Sequence, residues 1–428
     1  MKLWQKKTSI DQKIDAFTVG NDRQMDLILA AYDCQASIAH AEMLAQVGLL
    51  TAAEAQLLVV ELQHIQKEAE TGKFTIEAEF EDMHSKIEYL LVEKLGDLGK
   101  KIHTARSRND QVLVALQLYF KDALERIEKQ SLGLFDLLLD LAATHEKKLM
   151  PGYTHMQVAM PSSFGLWFSA YAESLIDDHL LLHAAHKIVD QNPLGSAAGF
   201  GSSFAIDREK TTEALGFSTL KYNVVAAQMG RGKVERSVAT ALAALAATLG
   251  KMAMDICLYM GQDYGFIRFP DALTTGSSIM PHKKNPDVFE LIRGKCNLLQ
   301  TLPQTMSQLT TNLPSGYHRD LQLSKEPILN AVEDLKSCLD LFQYALAQIE
   351  VSSDLLAQEK YDTLFTVETL NEWVNEGIPF RTAYQKMGEQ VAEGTYQPKR
   401  DLAHVHLGSI GNLALEDIRK KMATLGKC

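Results

Sequence analysis

The chain has 428 residues and a mass of 47.6 kDa, room for about two to four domains or one large one, and its 46% hydrophobic content can build a core without disulfide or metal staples. Its 43 Lys and Arg against 54 Asp and Glu leave a net charge of −11. That balance argues against a dedicated nucleic-acid binder but leaves room for a local basic pocket. Cys34, Cys257, Cys296, Cys338 and Cys428 lie far apart with no Cys-x-x-Cys pair, the pattern of reduced thiols in a cytoplasmic protein. Met1 to Ile10 carries Lys2, Lys6 and Lys7 around no apolar core, so it does not read as a signal peptide. The most apolar stretch, Ser237 to Gly250, is bounded by Arg236 and Lys251 and reads as too short to span a bilayer.

The first of the 11 prolines is Pro151, and two further proline-free stretches run from Leu194 to Phe269 and from Ile328 to Ile378. Proline breaks helix interiors, so these gaps leave room for long helices. Before Pro151 the glycines Gly20, Gly48, Gly72, Gly96 and Gly99 are spaced like helix stops. Period-two alternation is scarce, and the fold class is all-α. In chain order, a helix is expected from about Ser107, where Ser107-Arg108-Asn109-Asp110 resembles a capping box. Another follows Pro161 and runs to about Asp190. Leu242, Leu245, Leu249, Met252, Ile256 and Tyr259 form a heptad seam on a helix apolar nearly all round, which predicts a bundle and points to an oligomer. A last one starts at Pro286, with Asn285 as N-cap and Asp287 near the positive end of the dipole.

Three polar segments interrupt this pattern. His103-Thr104-Ala105-Arg106-Ser107-Arg108-Asn109-Asp110-Gln111 puts two arginines at a helix N-terminus, a good place for an anion. Met150-Pro151-Gly152-Tyr153-Thr154-His155-Met156-Gln157 predicts a Pro-Gly turn followed by a hydroxyl, an imidazole and an amide, with His155 suited to acid/base work near neutral pH. Gly276-Ser277-Ser278-Ile279-Met280-Pro281-His282-Lys283-Lys284-Asn285-Pro286 sets two lysines on a loop between prolines. It predicts a mobile loop closing over a di- or tricarboxylate. Two weaker patterns remain. His179, His183 and His186 read as a polar helix stripe rather than a metal site. Gly195 to Ser203 lacks dinucleotide or Walker spacing and reads as a tight loop approaching a ligand.

Gly276 to Pro286 resembles the signature loop of the fumarase/aspartase superfamily. Within it, Lys101 to Gln111, Pro151 to His155, Pro286 to Gly294, Arg319 to Gln322 with Lys325-Glu326-Pro327, and Gly377 to Arg381 resemble the argininosuccinate lyases. The likeness runs from about Glu81 to Tyr384, with a weaker match at Leu3-Trp4. It implies segments 1–105, 106–355 and 356–428, with the middle one entering the twenty-helix core of a homotetramer whose active sites are shared between subunits. It also implies cofactor-free cleavage of argininosuccinate to arginine and fumarate through an aci-carboxylate, in the cytoplasm, with no metal, nucleic-acid or membrane partner. By the same resemblance Ser277 is the base, His155 paired with Glu290 serves the acid side, and Lys283 stabilises the intermediate. Arg108, Asn109, Thr154, Asn285, Tyr317, Gln322 and Lys325 are the implied substrate contacts. The chain departs from the family at Gly20, at Tyr222 to Met229, at His282 and His318, and in a shorter C-terminal segment. The alternatives are an adenylosuccinate lyase-like enzyme, which shares the chemistry but needs a purine-phosphate pocket, and a silent helical scaffold, which would keep the bundle and lose the loops; the intact Ser277, Lys283 and His155 speak against the latter.

Overall fold

The computed structural model describes residues 11–402 and 404–425; Leu3-Trp4, the N-terminal lysines and Cys428 lie outside them. In chain order, α1 (Gln12–Val19), α2 (Asp22–Gln46), α3 (Ala52–Glu70), α4 (Met83–Leu95) and α5 (Asp97–Lys100) precede α6 (Arg108–Thr144). Then come β1 (Leu149–Thr154), β2 (Gln157–Ser163), α7 (Phe164–Val189), β3 (Gln191–Asn192), α8 (Arg208–Ala214), β4 (Thr219–Leu220), α9 (Val224–Met229) and α10 (Lys233–Met260). The remainder is β5 (Ile267–Arg268), α11 (Asp287–Leu299), α12 (Leu302–Leu309), α13 (Lys325–Leu346), β6 (Glu350–Val351), α14 (Thr366–Asn375), α15 (Phe380–Ala392) and α16 (Leu415–Leu425). The fold is all-α, with three two-stranded sheets as accessories. It divides into two compact units. Of the described residues, the first holds 11–127, 181–244 and 298–335, the second 128–180, 245–297 and those from 336 onward.

Local chemistry explains the boundaries in the first unit. Thr51 caps α3 by accepting from the Glu54 N–H at 3.2 Å, and the Glu54 carboxylate accepts from the Thr51 N–H at 2.9 Å. Four of the five predicted glycine stops lie at or just beyond helix C-termini with positive φ. Gly99 is different: it lies within α5, where a Cβ would sit 2.5 Å from the Leu91 backbone. α2 packs along α3, which buries Leu58, Leu62 and Ile65, while Ala36 and Ala39 of α2 join a buried cluster with Val114, Leu118, Leu194, Leu215 and Phe217. At the start of α6, Ser107 N–H donates to Asp110 at 2.9 Å and the Ser107 hydroxyl accepts from Asn109 N–H at 3.3 Å.

In the second unit β1 and β2 form an antiparallel hairpin. Here the expected Pro-Gly turn gives way: Pro151 and Gly152 lie inside β1, and the chain reverses at His155 and Met156, whose φ values are 52° and 60°. Gly152 is needed because a Cβ there would meet the Met160 carbonyl at 2.8 Å. Phe289 of α11 is buried between Phe269, 5.0 Å away, and Phe342 of α13, 5.5 Å away.

The seam on α10 is confirmed as a burial pattern, since Leu242, Leu245, Leu249, Met252 and Ile256 are each at most 1% exposed within the single chain. The seam is therefore consumed inside the protomer, and any subunit contact must use other residues. α10 is 28 residues long, so by length and composition it could cross a bilayer, contrary to the estimate from Ser237 to Gly250. Its buried leucine face marks it as a core helix.

Candidate active site

In the first unit a cavity of about 250 Å³ is lined by residues from five separate stretches of chain, among them Asp22, Glu81, His84, Arg108, Asn109, Arg231, Tyr317, Arg319, Gln322 and Lys325. The N-cap of α4, Asp82, accepts from Ser85 N–H at 2.8 Å and sets Glu81 at the cavity wall. Arg108, the first residue of α6, lies 3.1 Å from both Glu81 and Asp82 and donates to Ser85 Oγ at 2.6 Å. Glu81 also takes Arg319 at 2.8 Å, so one carboxylate bridges two guanidinium groups. Arg319 and Gln322 donate to the Thr18 carbonyl at 3.0 and 2.9 Å, which ties their turn to the end of α1.

Below them Lys325 donates to Asp26 at 2.7 Å and Asp22 at 3.0 Å. Burial works against the Lys325 charge, but Asp26 and Asp22 outweigh it and hold its pKa up. Burial raises the Asp22 pKa despite Lys325 beside it. His84 is a similar case: burial opposes its charge, and the Asp33 carboxylate 3.0 Å away reverses the balance and raises its pKa. Arg231 is held by Glu235 at 2.6 Å and donates to the Leu321 carbonyl at 2.9 Å. The cavity is thus a lattice of paired charges, suited to a zwitterionic or anionic small molecule.

In the second unit Thr154 and His155 sit exposed at the hairpin tip. The loop carrying Ser277 is tied at its neck by a bridge: Asn285 N–H donates to the Thr275 carbonyl at 2.8 Å and Thr275 N–H donates back at 3.3 Å. The Asn285 amide braces the same neck, reaching Thr275 Oγ1 at 3.3 Å. Ser277 Oγ accepts from the N–H groups of Met280 at 3.2 Å and Ile279 at 3.4 Å. Lys284 pairs with Asp271, whereas the Lys283 side chain is exposed. Glu290 is exposed in the first turn of α11.

The structure therefore gathers Arg108, Asn109, Tyr317, Gln322 and Lys325 around one cavity of the first unit. Thr154, His155, Ser277, Lys283, Asn285 and Glu290 belong to the second. Sequence reasoning missed Asp22, Glu81, His84, Arg231 and Arg319 as cavity residues. Arg319 lies two residues beyond Tyr317, and the Glu81-Asp82 pair stands directly before a helix start; those were the available signals.

The stretch from Gly195 to Ser203 is held tight by contacts within the protein. Gln228 of α9 fills the space beside Gly199 and donates to Ser196 Oγ at 3.2 Å, and Asp110 accepts from the N–H groups of Gly195 and Ala197 at 3.1 and 2.9 Å. The divergent Tyr222 to Met229 segment is the helix that supplies this lock, capped by Asn223. In the histidine stripe, His179 meets Ser131 Oγ at 2.7 Å and His186 meets Glu125 at 3.5 Å.

Residues 6–300 match a family model described as a lyase, and the fold agrees with solved structures of that class. The EDDS lyase complex with formate superposes with a TM-score of 0.78 at 19% identity, covering 98% of this chain and 91% of that one. The class II fumarase of Schistosoma mansoni does so with 0.73 at 16% identity, covering 89% and 88%. Fold and matched residues define a lyase of the fumarase/aspartase type. Among relatives, the argininosuccinate lyase of Phocaeicola vulgatus is 53% identical over 98% of this chain and 94% of its own length. That of Parabacteroides distasonis is 52% identical over 99% and 95%, and that of Sorangium cellulosum 39% over 99% and 98%. The chain belongs to the argininosuccinate lyase family.

Proposed function

We propose that this enzyme cleaves argininosuccinate to arginine and fumarate, and that the two residue sets described above divide the work. The near full-length identity to argininosuccinate lyases carries the reading. The charged cavity supports it, since Arg108, Tyr317, Gln322 and Lys325 suit the amine half of the substrate.

The reaction removes a proton from the carbon beside a carboxylate, leaving an aci-carboxylate with two negative charges on one carboxyl group. Its electron pair then forms the carbon–carbon double bond as the C–N bond breaks and the departing nitrogen takes a proton. Such an intermediate needs preorganised cations and donors. Lys283 and Asn285 fill that role. Ser277 is the base: the Ile279 and Met280 N–H groups on its oxygen would stabilise the alkoxide as they do the hydroxyl. His155, with Glu290, delivers the proton to nitrogen, and Thr154 and Asn109 orient the substrate.

The assembly is a cytoplasmic homotetramer, in which segments of different subunits complete each site. The half-exposed small face of α10 (Ala243, Ala244, Thr248) suits close helix packing between subunits. The described cysteines are all thiols, which supports a reducing compartment. The decisive experiment follows fumarate absorbance on argininosuccinate, with adenylosuccinate as control. Turnover of the first alone is expected; no fumarate from argininosuccinate would remove the proposal.

A further inference from the structure

A second cavity of the first unit, of about 280 Å³, adjoins the charged one at Arg231, which lines both. Two stretches build it: the end of α9 with the start of α10, and the segment from Thr310 to Leu321. Gly232 lets them meet, since its φ is 78° and a Cβ there would run into the Thr310 side chain.

The lining of this cavity is cationic. Arg231, Lys233, Arg236 and His318 contribute to it, and no Asp or Glu does, in a chain whose acids outnumber its bases 54 to 43. Glu235 lies between the two exposed cations in sequence, but it is buried and already taken. It accepts from Arg231 Nε at 2.6 Å, from the Gly232 N–H at 2.6 Å and from the Ser324 hydroxyl at 3.4 Å. Among the described residues neither Lys233 nor Arg236 has an ion-pair partner. They stand three residues apart on α10, where like charges are neighbours and repel unless something negative lies between them. His318 adds an unmet hydrogen bond, because its Nε2 is buried without a partner. Such a nitrogen is costly to leave unpaired, and a turn of the ring towards an anion would pair it.

From this geometry we infer that the second cavity binds a small dianion, a phosphate or a dicarboxylate, and that its occupancy is felt in the first cavity. The link is the backbone between them. His318 is extended, with φ −131° and ψ 145°, so successive side chains turn to opposite sides. Tyr317 and Arg319 line the first cavity and His318 the second. An anion that holds His318 and Arg231 therefore steadies the wall carrying Tyr317 and Arg319. This coupling rests on the reading of the first cavity as the substrate site; the binding itself does not.

The test titrates the full-length enzyme with sodium phosphate and, separately, with sodium malonate, by calorimetry at constant ionic strength. Saturable binding of at least one of them is expected, and the tighter of the two names the class. Lys233→Met with Arg236→Met should weaken it about tenfold or more, while Arg236→Lys, which keeps the charge, should weaken it less. No saturable binding of either anion, or equal binding in the double variant, overturns the site. In turnover of argininosuccinate the saturating anion should lower KM about 2- to 10-fold with kcat nearly unchanged, and the double variant should lose that response. A rise in KM that persists in the double variant is competition in the first cavity and overturns the coupling. If argininosuccinate is not turned over at all, the lyase reading fails, and calorimetry still decides the site.

Discussion

At Ser277 two backbone N–H groups already point at the hydroxyl oxygen. Ser277→Ala should lower kcat by ~10²–10⁴, about 3–5 kcal/mol of transition-state stabilisation, with KM little changed. Ser278→Ala should do less. Near-normal kcat in a correctly folded Ser277→Ala enzyme would shift the base assignment to His282. Lys283→Met should impair kcat and KM together, because a cation facing a carboxylate acts in both the ground and the transition state. Ser277 and Lys283 stand out in the sequence because they cluster in chain order on a loop of unusual polarity. Glu81 was not: its meaning comes from Arg108 and Arg319, which reach it from distant parts of the chain. A single sequence carries no record of such pairing.

The start of α6 followed local chemistry closely at Ser107, because caps act within a few residues; α11 instead starts at Asp287, one residue after Pro286, and the Asn285 amide turns to Thr275 rather than capping it. Thr51→Ala, which removes the side chain from the α3 capping box, should cost about 1 kcal/mol and be read as a lower melting temperature. The hairpin Leu149–Ser163 was not legible, because a strand through Pro151 and Gly152 with a turn at His155 and Met156 reverses the usual roles of those residues. On α7, burial, with Asp177 adding to it, pushes the Asp178 pKa up to about 6, and one of its carboxylate oxygens is buried without a hydrogen-bond partner. A carboxyl raised in the folded state holds its proton more tightly there. Its stabilising contribution is full below the unfolded value near 4 and is lost as pH rises through 6. Asp178→Asn should therefore raise the melting temperature at pH 7 to 8, with the gain shrinking towards pH 4. An unchanged gap across that range would contradict the burial argument.

For the whole molecule, the leucine seam on α10 predicted helix packing correctly but says nothing about subunits, since it is spent inside the protomer. The proposed tetramer would rest on other surfaces, and sedimentation should find it at micromolar concentration; a monodisperse species of 47.6 kDa would contradict it. If sites are shared, hybrids of an inactive His155 variant and an inactive Ser277 variant should regain part of the activity. No recovery in verified hybrids would count against sharing. The all-α class and long helices were legible because proline and heptad spacing act along the chain. The division into two compact units was not, because its boundaries fall within helices rather than in linkers.

Asp110 holds three backbone N–H groups at once: Ser107 at the start of α6, and Gly195 and Ala197 in the small-residue loop. Their exchange with solvent deuterium then has a common gate, since each amide is released only when that one carboxylate lets go. Substitutions far along the chain, around Gly195, should be felt as a change in protection at Ser107, one residue from the arginine that lines the cavity.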